Sequence, residues 1–398
     1  MLKHLTKLIW NRKGENALVL VELVTAFLVI FFVAATISYS LWLYKQPLGY
    51  DWEDTWELRI AIGNSEWQES DSETLRRVLN TLKGQPAIEW AHVVRLGPFR
   101  GWNWTSTVAY EGREFIPMWN TMTDGAPQDL GMTLLEGRWF GPEDAGRIDD
   151  PILINERLAR RMFGDASPLG QDIRQRGEDE ERDDPALTVI GVFSDFRQRG
   201  DLHQMTDYVL GRHELEDPEQ SVYSLLVRLE PGTALTYEEA LVDVLSQTAP
   251  DWRFVVTPLS RIRADHLREQ SMPLYIGGTI AAFLVIMVAF GLFGVLWQNV
   301  TRRTDELGLR RAVGATRERI YRQIVLEMTL LALFAAIIGT IVGIQFPMLG
   351  TFRPLDWRSS GLGIGAATLI VSGLCVVCAL YPARLAAKRP PAEALHYE

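Results

Sequence analysis

Few residues in this 398-residue chain are both reactive by type and close enough in sequence to act together. Six histidines stand at positions 4, 92, 203, 213, 266 and 396. His203 and Asp207 are four residues apart and His213 follows, yet the H-E-x-x-H spacing that sets two zinc ligands and a base on one helix face is absent. A surface grouping without a ligand is the expectation there. No G-x-S-x-G elbow presents a serine nucleophile. Cys375 and Cys378 have C-x-x-C spacing, but they lie in an apolar run that disfavours the thiolate needed for redox or metal chemistry. They read as small packing residues. The run Glu178–Asp184 (EDEERDD) could attract a cation, but nothing fixes ligand geometry, and a solvated loop is predicted. Trp102, Trp104, Trp119, Trp139 and Phe140 could bind an apolar ligand, although core packing accounts for most such residues. No catalytic residue, metal ligand or bound cofactor is therefore predicted.

Two carboxylates stand out by their surroundings. Glu22 and Glu327 each interrupt an otherwise apolar run, and an ionisable group in such a place is a functional candidate by default. Snorkelling or pairing with a nearby Arg is the competing reading. The elements carrying them are four apolar stretches, predicted as membrane helices over 17–43, 273–300, 323–346 and 361–381. Each is about 20 residues or more, enough for a helix to cross roughly 30 Å of hydrocarbon. The first could be a signal peptide, but it is too long for a typical signal core, so an uncleaved anchor is expected. Gly291 and Gly294, Gly339 and Gly343, and Gly361, Gly363 and Gly365 are candidates for close helix approach.

Whole-chain averages hide this pattern. Hydrophobic residues make up 47%, the formal net charge is −10, and the mean hydropathy is zero. These values exclude a disordered chain and a disulfide scaffold, and the acidic balance argues against a nucleic-acid partner. The short flanks 1–16, 301–322 and 381–398 carry a net charge of +8, whereas the rest outside the apolar runs carries −16. Positive flanks stay in the cytoplasm, which predicts both termini and the 301–322 loop inside. A domain over 44–272 and a short loop over 347–360 are then outside.

That outer domain, about 229 residues, is large enough to hold its own core. Strands are predicted near 56–62 and 88–96, flanking a helix over about 73–83 capped by Ser72. Further strands near 222–229 and 252–258 flank a helix over 237–247. The two βαβ units imply one split α/β subdomain, about 50–104 and 218–258, with a β-rich subdomain of about 105–215 inserted. A charged stalk helix over about 259–272 leads to the second span. The fold class is an α-helical membrane protein with four transmembrane helices and a large α+β extracytoplasmic domain.

The 301–322 loop reads TRRTDELGLRRAVGATRERIYR. A short helix from Arg303 would pair Glu306 with Arg310, Gly314 suits its end, and Thr316 can cap the next helix. Alone, this would be a basic amphipathic anchor at the bilayer surface. The pattern R-R-x-x-E-I/L-G-x-x-R-A-x-G-A resembles the cytoplasmic segment of FtsX/MacB-type ABC transporter permeases, on Arg302, Arg303, Glu306, Leu307, Gly308, Arg311, Ala312, Gly314 and Ala315. Glu327 matches an early Glu of the family's third span. The ending YPARLAAKRPPAEALHYE is similar to the family ending through Pro382, Ala383, Ala386, Pro391, Glu393, Ala394, Leu395 and Glu398. Gly137–Phe140, PILINERLARRMFGDASPLGQDI (151–173) and TVIGVFSDFR (188–197) resemble the MacB-type periplasmic core.

The resemblance implies a mechanotransmission permease of the bacterial inner membrane. A cytoplasmic ABC ATPase dimer would clamp onto the coupling helix, and a second permease copy or a paralogue would pair with this one in the membrane. A periplasmic adaptor and an outer-membrane channel are further partners the resemblance allows. Leu307 and Leu309 are expected to fit an ATPase groove, and Arg302, Arg303, Arg310 and Arg311 to meet its acidic residues. No G-x-x-x-x-G-K-S/T phosphate loop occurs, so ATP and Mg are expected on a separate subunit. The expected function is export of a peptide, drug or amphiphile. The alternative is an FtsX-like transmitter that switches a cell-wall hydrolase and moves no substrate.

Overall fold

The computed structural model describes residues 13–62, 68–101, 104–147, 149–176, 186–215, 224–233, 236–302, 313–350, 352 and 355–388. The chain forms two units: a helical one from Met1–Trp42 and Ser271–Glu398, and an α/β one from Leu43–Gln270. Helix α1 (Lys13–Tyr44) is followed by β1 (Thr55–Ile62), α2 (Glu69–Lys83) and β2 (Ile88–Val94). Short strands come next: β3 (Trp104–Thr105), β4 (Thr107–Tyr110), β5 (Arg113–Phe115) and β6 (Met118–Met122). The single turn α3 (Ala126–Asp129) precedes β7 (Leu134–Gly137), β8 (Asp150–Asn155), α4 (Glu156–Phe163), β9 (Asp172–Arg176), β10 (Leu187–Phe193) and β11 (Tyr208–Arg212). Then β12 (Ser224–Leu229), α5 (Tyr237–Thr248) and β13 (Trp252–Pro258) lead to α6 (Leu259–Arg302), α7 (Arg317–Leu349) and α8 (Trp357–Lys388).

In the helical unit, α1, α6, α7 and α8 are each long and apolar enough to cross a membrane. The expected stalk and second span are one continuous helix of 44 residues, α6, with Pro273 inside it. Leu23, Phe27, Phe31 and Ala35 of α1 are buried in a core shared with α7 and α8. Gly339 of α7 leaves the space that the Phe27 ring fills. At Gly363 of α8 an added Cβ would stand 2.9 Å from the Phe31 carbonyl and from Ala35 Cβ. Glycine at these two positions is what lets the helices approach. Gly294, Gly361 and Gly365 meet nothing within 4 Å among the described residues of this chain.

The α/β unit is built on one chain of strands, ordered β13-β1-β12-β2-β6-β11-β8-β10-β9-β4-β5, with β3 on β6 and β7 on β10. The first four are antiparallel neighbours. Strand β12 lies between β1 and β2, which splits the βαβ unit as the sequence implies, and α2 and α5 cover the sheet with Leu75, Leu82, Leu241 and Leu245. Helix α2 begins at Glu69 rather than after Ser72. Asp71 accepts the amide of Gln68 at 2.9 Å and so fixes the start of the helix from within its first turn, leaving Ser72 buried inside it. The inserted strands β3 to β11 pack around α4 through Ile152, Ile154, Leu158 and Met162. Among the described residues they join the four-stranded sheet where β6 meets β2, Val94 opposite Met122, with backbone bonds from Arg95 to Thr121 and from Thr123 to Val93 on either side.

Candidate functional site

Most of the expected coupling residues, Arg303, Glu306, Leu307, Gly308, Leu309, Arg310 and Arg311, lie outside the described residues. Arg302 closes α6. Gly314 has φ of +101°, a left-handed value that favours glycine. Two residues on, the Thr316 side chain accepts the Arg319 amide at 3.3 Å and caps α7, satisfying one of the helix's unpaired first-turn donors. The two intramembrane carboxylates have different surroundings. Glu22 is half-buried on α1, packed against the bare face of Gly291 on α6. Glu327 is buried on α7 and accepts a hydrogen bond from Gln323 Nε2 at 3.1 Å. Cys375 is buried in the helix core and Cys378 is half-buried, both as free thiols.

In the α/β unit the sequence grouping around His203 comes apart. Asp207 accepts ion pairs from Arg157, at 3.2 Å, and from Arg161, both on α4. His213 Nδ1 lies 3.1 Å from the Thr121 hydroxyl. Asp207 and His213 are buried, which corrects the expected surface placement. His203 instead stacks on His266 with ring centroids 5.8 Å apart. Burial first, then the Arg199 charge, pushes the His203 imidazole down to about 4. Among the described residues no group of three or more His, Cys, Asp or Glu is placed to hold a metal ion. The run Glu178–Asp184 and Trp102 lie outside the described residues. Trp119 and Phe140 are core residues, and Trp104 sits between the Trp119 ring and the Arg95 guanidinium, 3.9 Å from its centroid.

Among the described residues a dense polar network surrounds the turn after β10, over 195–201, which sequence reasoning passes over. Asp195 Oδ1 accepts from Asn155 Nδ2 at 2.7 Å and from the Arg157 amide at 3.1 Å. Asn155 is fully buried and also caps α4 and receives the Tyr208 amide at 2.8 Å. Arg197, 2% exposed, donates to the carbonyls of Leu43 at 2.8 Å, Pro47 at 3.0 Å and Asp201 at 2.7 Å, and to that of Gln46. Gln198 donates to the Leu96 carbonyl and accepts the Phe99 amide on its own carbonyl at 2.8 Å. Asp201, 3% exposed, holds Arg263 of α6 through two bonds of 2.7 and 2.9 Å. The one signal in the sequence is the stretch TVIGVFSDFR itself; apart from Asp201, the partners of Arg197 are too distant in sequence for any spacing rule.

Sequence comparison decides what kind of protein this is. The MacB-like periplasmic core domain matches residues 26–243, and the FtsX-like permease C-terminal domain matches residues 278–391. The chain belongs to the FtsX/MacB-type ABC transporter permease family. It is 30% identical over 302 residues to the macrolide export ATP-binding/permease protein MacB of Chlorobium luteolum, covering 70% of this chain and 43% of that one. Against the ABC transporter permease YknZ of Bacillus subtilis, identity is 25% over 285 residues, covering 70% of each chain. The chain thus spans less than half the length of the MacB relatives it matches. The crystal structure of the periplasmic region of MacB from Actinobacillus actinomycetemcomitans aligns with a TM-score of 0.39 at 15% identity, covering 56% of this chain and 96% of that one. The extracellular domain of YknZ gives 0.34 at 16% identity, covering 50% and 99%. This family member is a membrane protein with four apolar helices and a large mixed α/β extracytoplasmic domain.

Proposed function

We propose that the chain is the membrane subunit of an ABC transporter in which a separate ATPase moves the extracytoplasmic domain, extruding a peptide, drug or amphiphile. The observation that carries this reading is the order of matched segments. A periplasmic-core match over 26–243 covers most of the α/β unit, and a permease match over 278–391 covers the later part of α6, the basic 301–322 stretch, α7 and α8. ATP and Mg would be bound by the partner alone. Both termini and the 301–322 stretch face the cytoplasm in this reading, in keeping with their net positive charge. Arg302 to Arg311 would then form the ATPase contact, Leu307 and Leu309 entering an apolar groove and the arginines meeting acidic residues. A second permease, identical or paralogous, would complete the membrane assembly.

Co-purification of the full chain with the products of its neighbouring genes tests the reading. An ATPase whose hydrolysis depends on the permease is expected, and Leu307→Arg abolishes both association and cellular function. Absence of any associated ATPase, together with full function of Leu307→Arg, overturns the proposal. Recovery of a cell-wall hydrolase in place of an exported substrate moves the assignment to regulation.

A further inference from the structure

The α/β unit continues into membrane helices at two places, the end of α1 and the start of α6, more than two hundred residues apart in sequence. Side chains join these two places. The Arg197 guanidinium faces the carboxyl end of α1 and the segment after it, donating to Leu43, Gln46 and Pro47. The Leu43 carbonyl also accepts the Gln46 amide at 3.0 Å, and the guanidinium supplies its second, charged donor where the negative end of the helix dipole lies. The Arg197 backbone amide adds a bond to the Leu48 carbonyl at 2.8 Å. Gly49, with φ of +84°, then passes so close to the 195–196 backbone that a Cβ there would lie 2.6 Å from the Asp195 carbonyl. On its other side Arg197 donates to the Asp201 carbonyl, whose side chain grips Arg263 one turn into α6. The Arg263 guanidinium also covers the Trp52 ring at 4.5 Å, and the Tyr50 hydroxyl is enclosed nearby.

We infer that Arg197, Asp201 and Arg263 form a fixed joint that holds the outer end of α1 to the first turns of α6. Arg197 is thereby a positioning residue for transmission. The inference rests on the proposed ATPase-driven movement for its use, though not for its existence. Four carbonyls on one planar guanidinium leave little freedom to slide, and a lysine with its single ammonium cannot span the same set. Asp195 extends the joint through Asn155 to the inserted strands, and Gln198 extends it to the 96–99 turn. A displacement arriving along either helix therefore reaches the same seven-residue turn.

The test uses the full chain in lipid nanodiscs, with Cys375→Ala and Cys378→Ala removing the native thiols. Spin labels on Lys45→Cys and Glu269→Cys, both exposed positions, report the separation of the two segments. A single narrow distance distribution is expected for the parent, and a broadened or shifted one for Arg197→Met and for Arg263→Gln. Arg212→Gln, which breaks an ion pair with Asp124 elsewhere in the unit, should leave it narrow. Arg263→Gln opens one side of the joint only, which keeps the test decisive if Arg197→Met does not fold. In cells, the joint variants should retain ATPase association and hydrolysis but lose the cellular function. An unchanged distribution in Arg263→Gln, or parental function in a variant whose distribution has broadened, overturns the inference. If no ATPase associates with the parent chain, the transporter reading fails while the distance measurement still decides the joint.

Discussion

The two units keep their parts in place by opposite means. In the helical unit the contacts that matter are shapes: Phe27 fills the gap left by Gly339, and Phe31 and Ala35 lie against Gly363. In the α/β unit apolar clusters fill the interior, and several junctions between segments are ionic. Glu57, 1% exposed, pairs with Arg100 and accepts from Ser224, and Arg138 grips the buried Asp144 with two bonds of 2.6 Å. The difference follows from the solvent. Lipid tails offer no hydrophobic drive for helix association, so close van der Waals fit must supply it. A water-facing domain already gains from apolar burial, and a buried ion pair adds a penalty for every wrong arrangement of its partners. Fit holds the bundle together, whereas charge decides how the segments of the outer domain meet.

Four substitutions would break or sharpen this contrast. The largest effect is expected for Gly363→Leu, whose side chain meets helix backbone that cannot move aside; overpacking should cost about 3 kcal/mol or more. The melting temperature of the full chain in detergent should drop sharply, and an unchanged value would show that fit is not what holds the bundle. Asn155→Ala should cost about 2–3 kcal/mol, because the Leu158 and Tyr208 amides lose their acceptor in a dry site. Hydrogen exchange should report this as lost protection in α4 and β11 with α7 unaffected; uniform loss across both units would erase the distinction. Thr316→Ala, removing the cap of α7, should cost about 1 kcal/mol and show as fraying of its first turn in the same experiment. The smallest effect concerns protons. Partial burial and the Arg199 charge push half-buried His203 down to about 4 in the folded protein, whereas the unfolded chain takes up that proton near 6.5. The unfolded state therefore binds more protons between those values, and stability falls as the pH is lowered from about 6.5 towards 4. His203→Gln should flatten that slope, and an unaltered slope would assign it to other groups.

Legibility in the sequence tracks the same contrast. Four apolar runs, interrupted by Glu22 and Glu327, announce the helices because the membrane imposes a length and a composition on each run separately. The split sheet was readable too, since β1, α2, α5 and β13 each carry their own period. Helix α2 was placed late because Ser72 is a good cap by type, whereas the local bond from Gln68 to Asp71 decides the start. His203 and His266 could not be paired on paper: they are 63 residues apart, and only the turn after β10 brings them together. Arg197 was hidden for the same reason, since all its partners but Asp201 lie about 150 residues away. Spacing rules report contacts within an element, and the ionic junctions of this protein lie between elements.

Pro273 gives the long helix α6 a mechanical character that its continuity conceals. A proline ring has no amide hydrogen, so the carbonyl four residues earlier, that of Glu269, loses its intrahelical donor and is crowded by the ring as well. Along its axis α6 remains a rod and carries compression like any unbroken helix. Against bending it is softened at Pro273, ten residues beyond Arg263, and the Gly277–Gly278 pair follows one turn later.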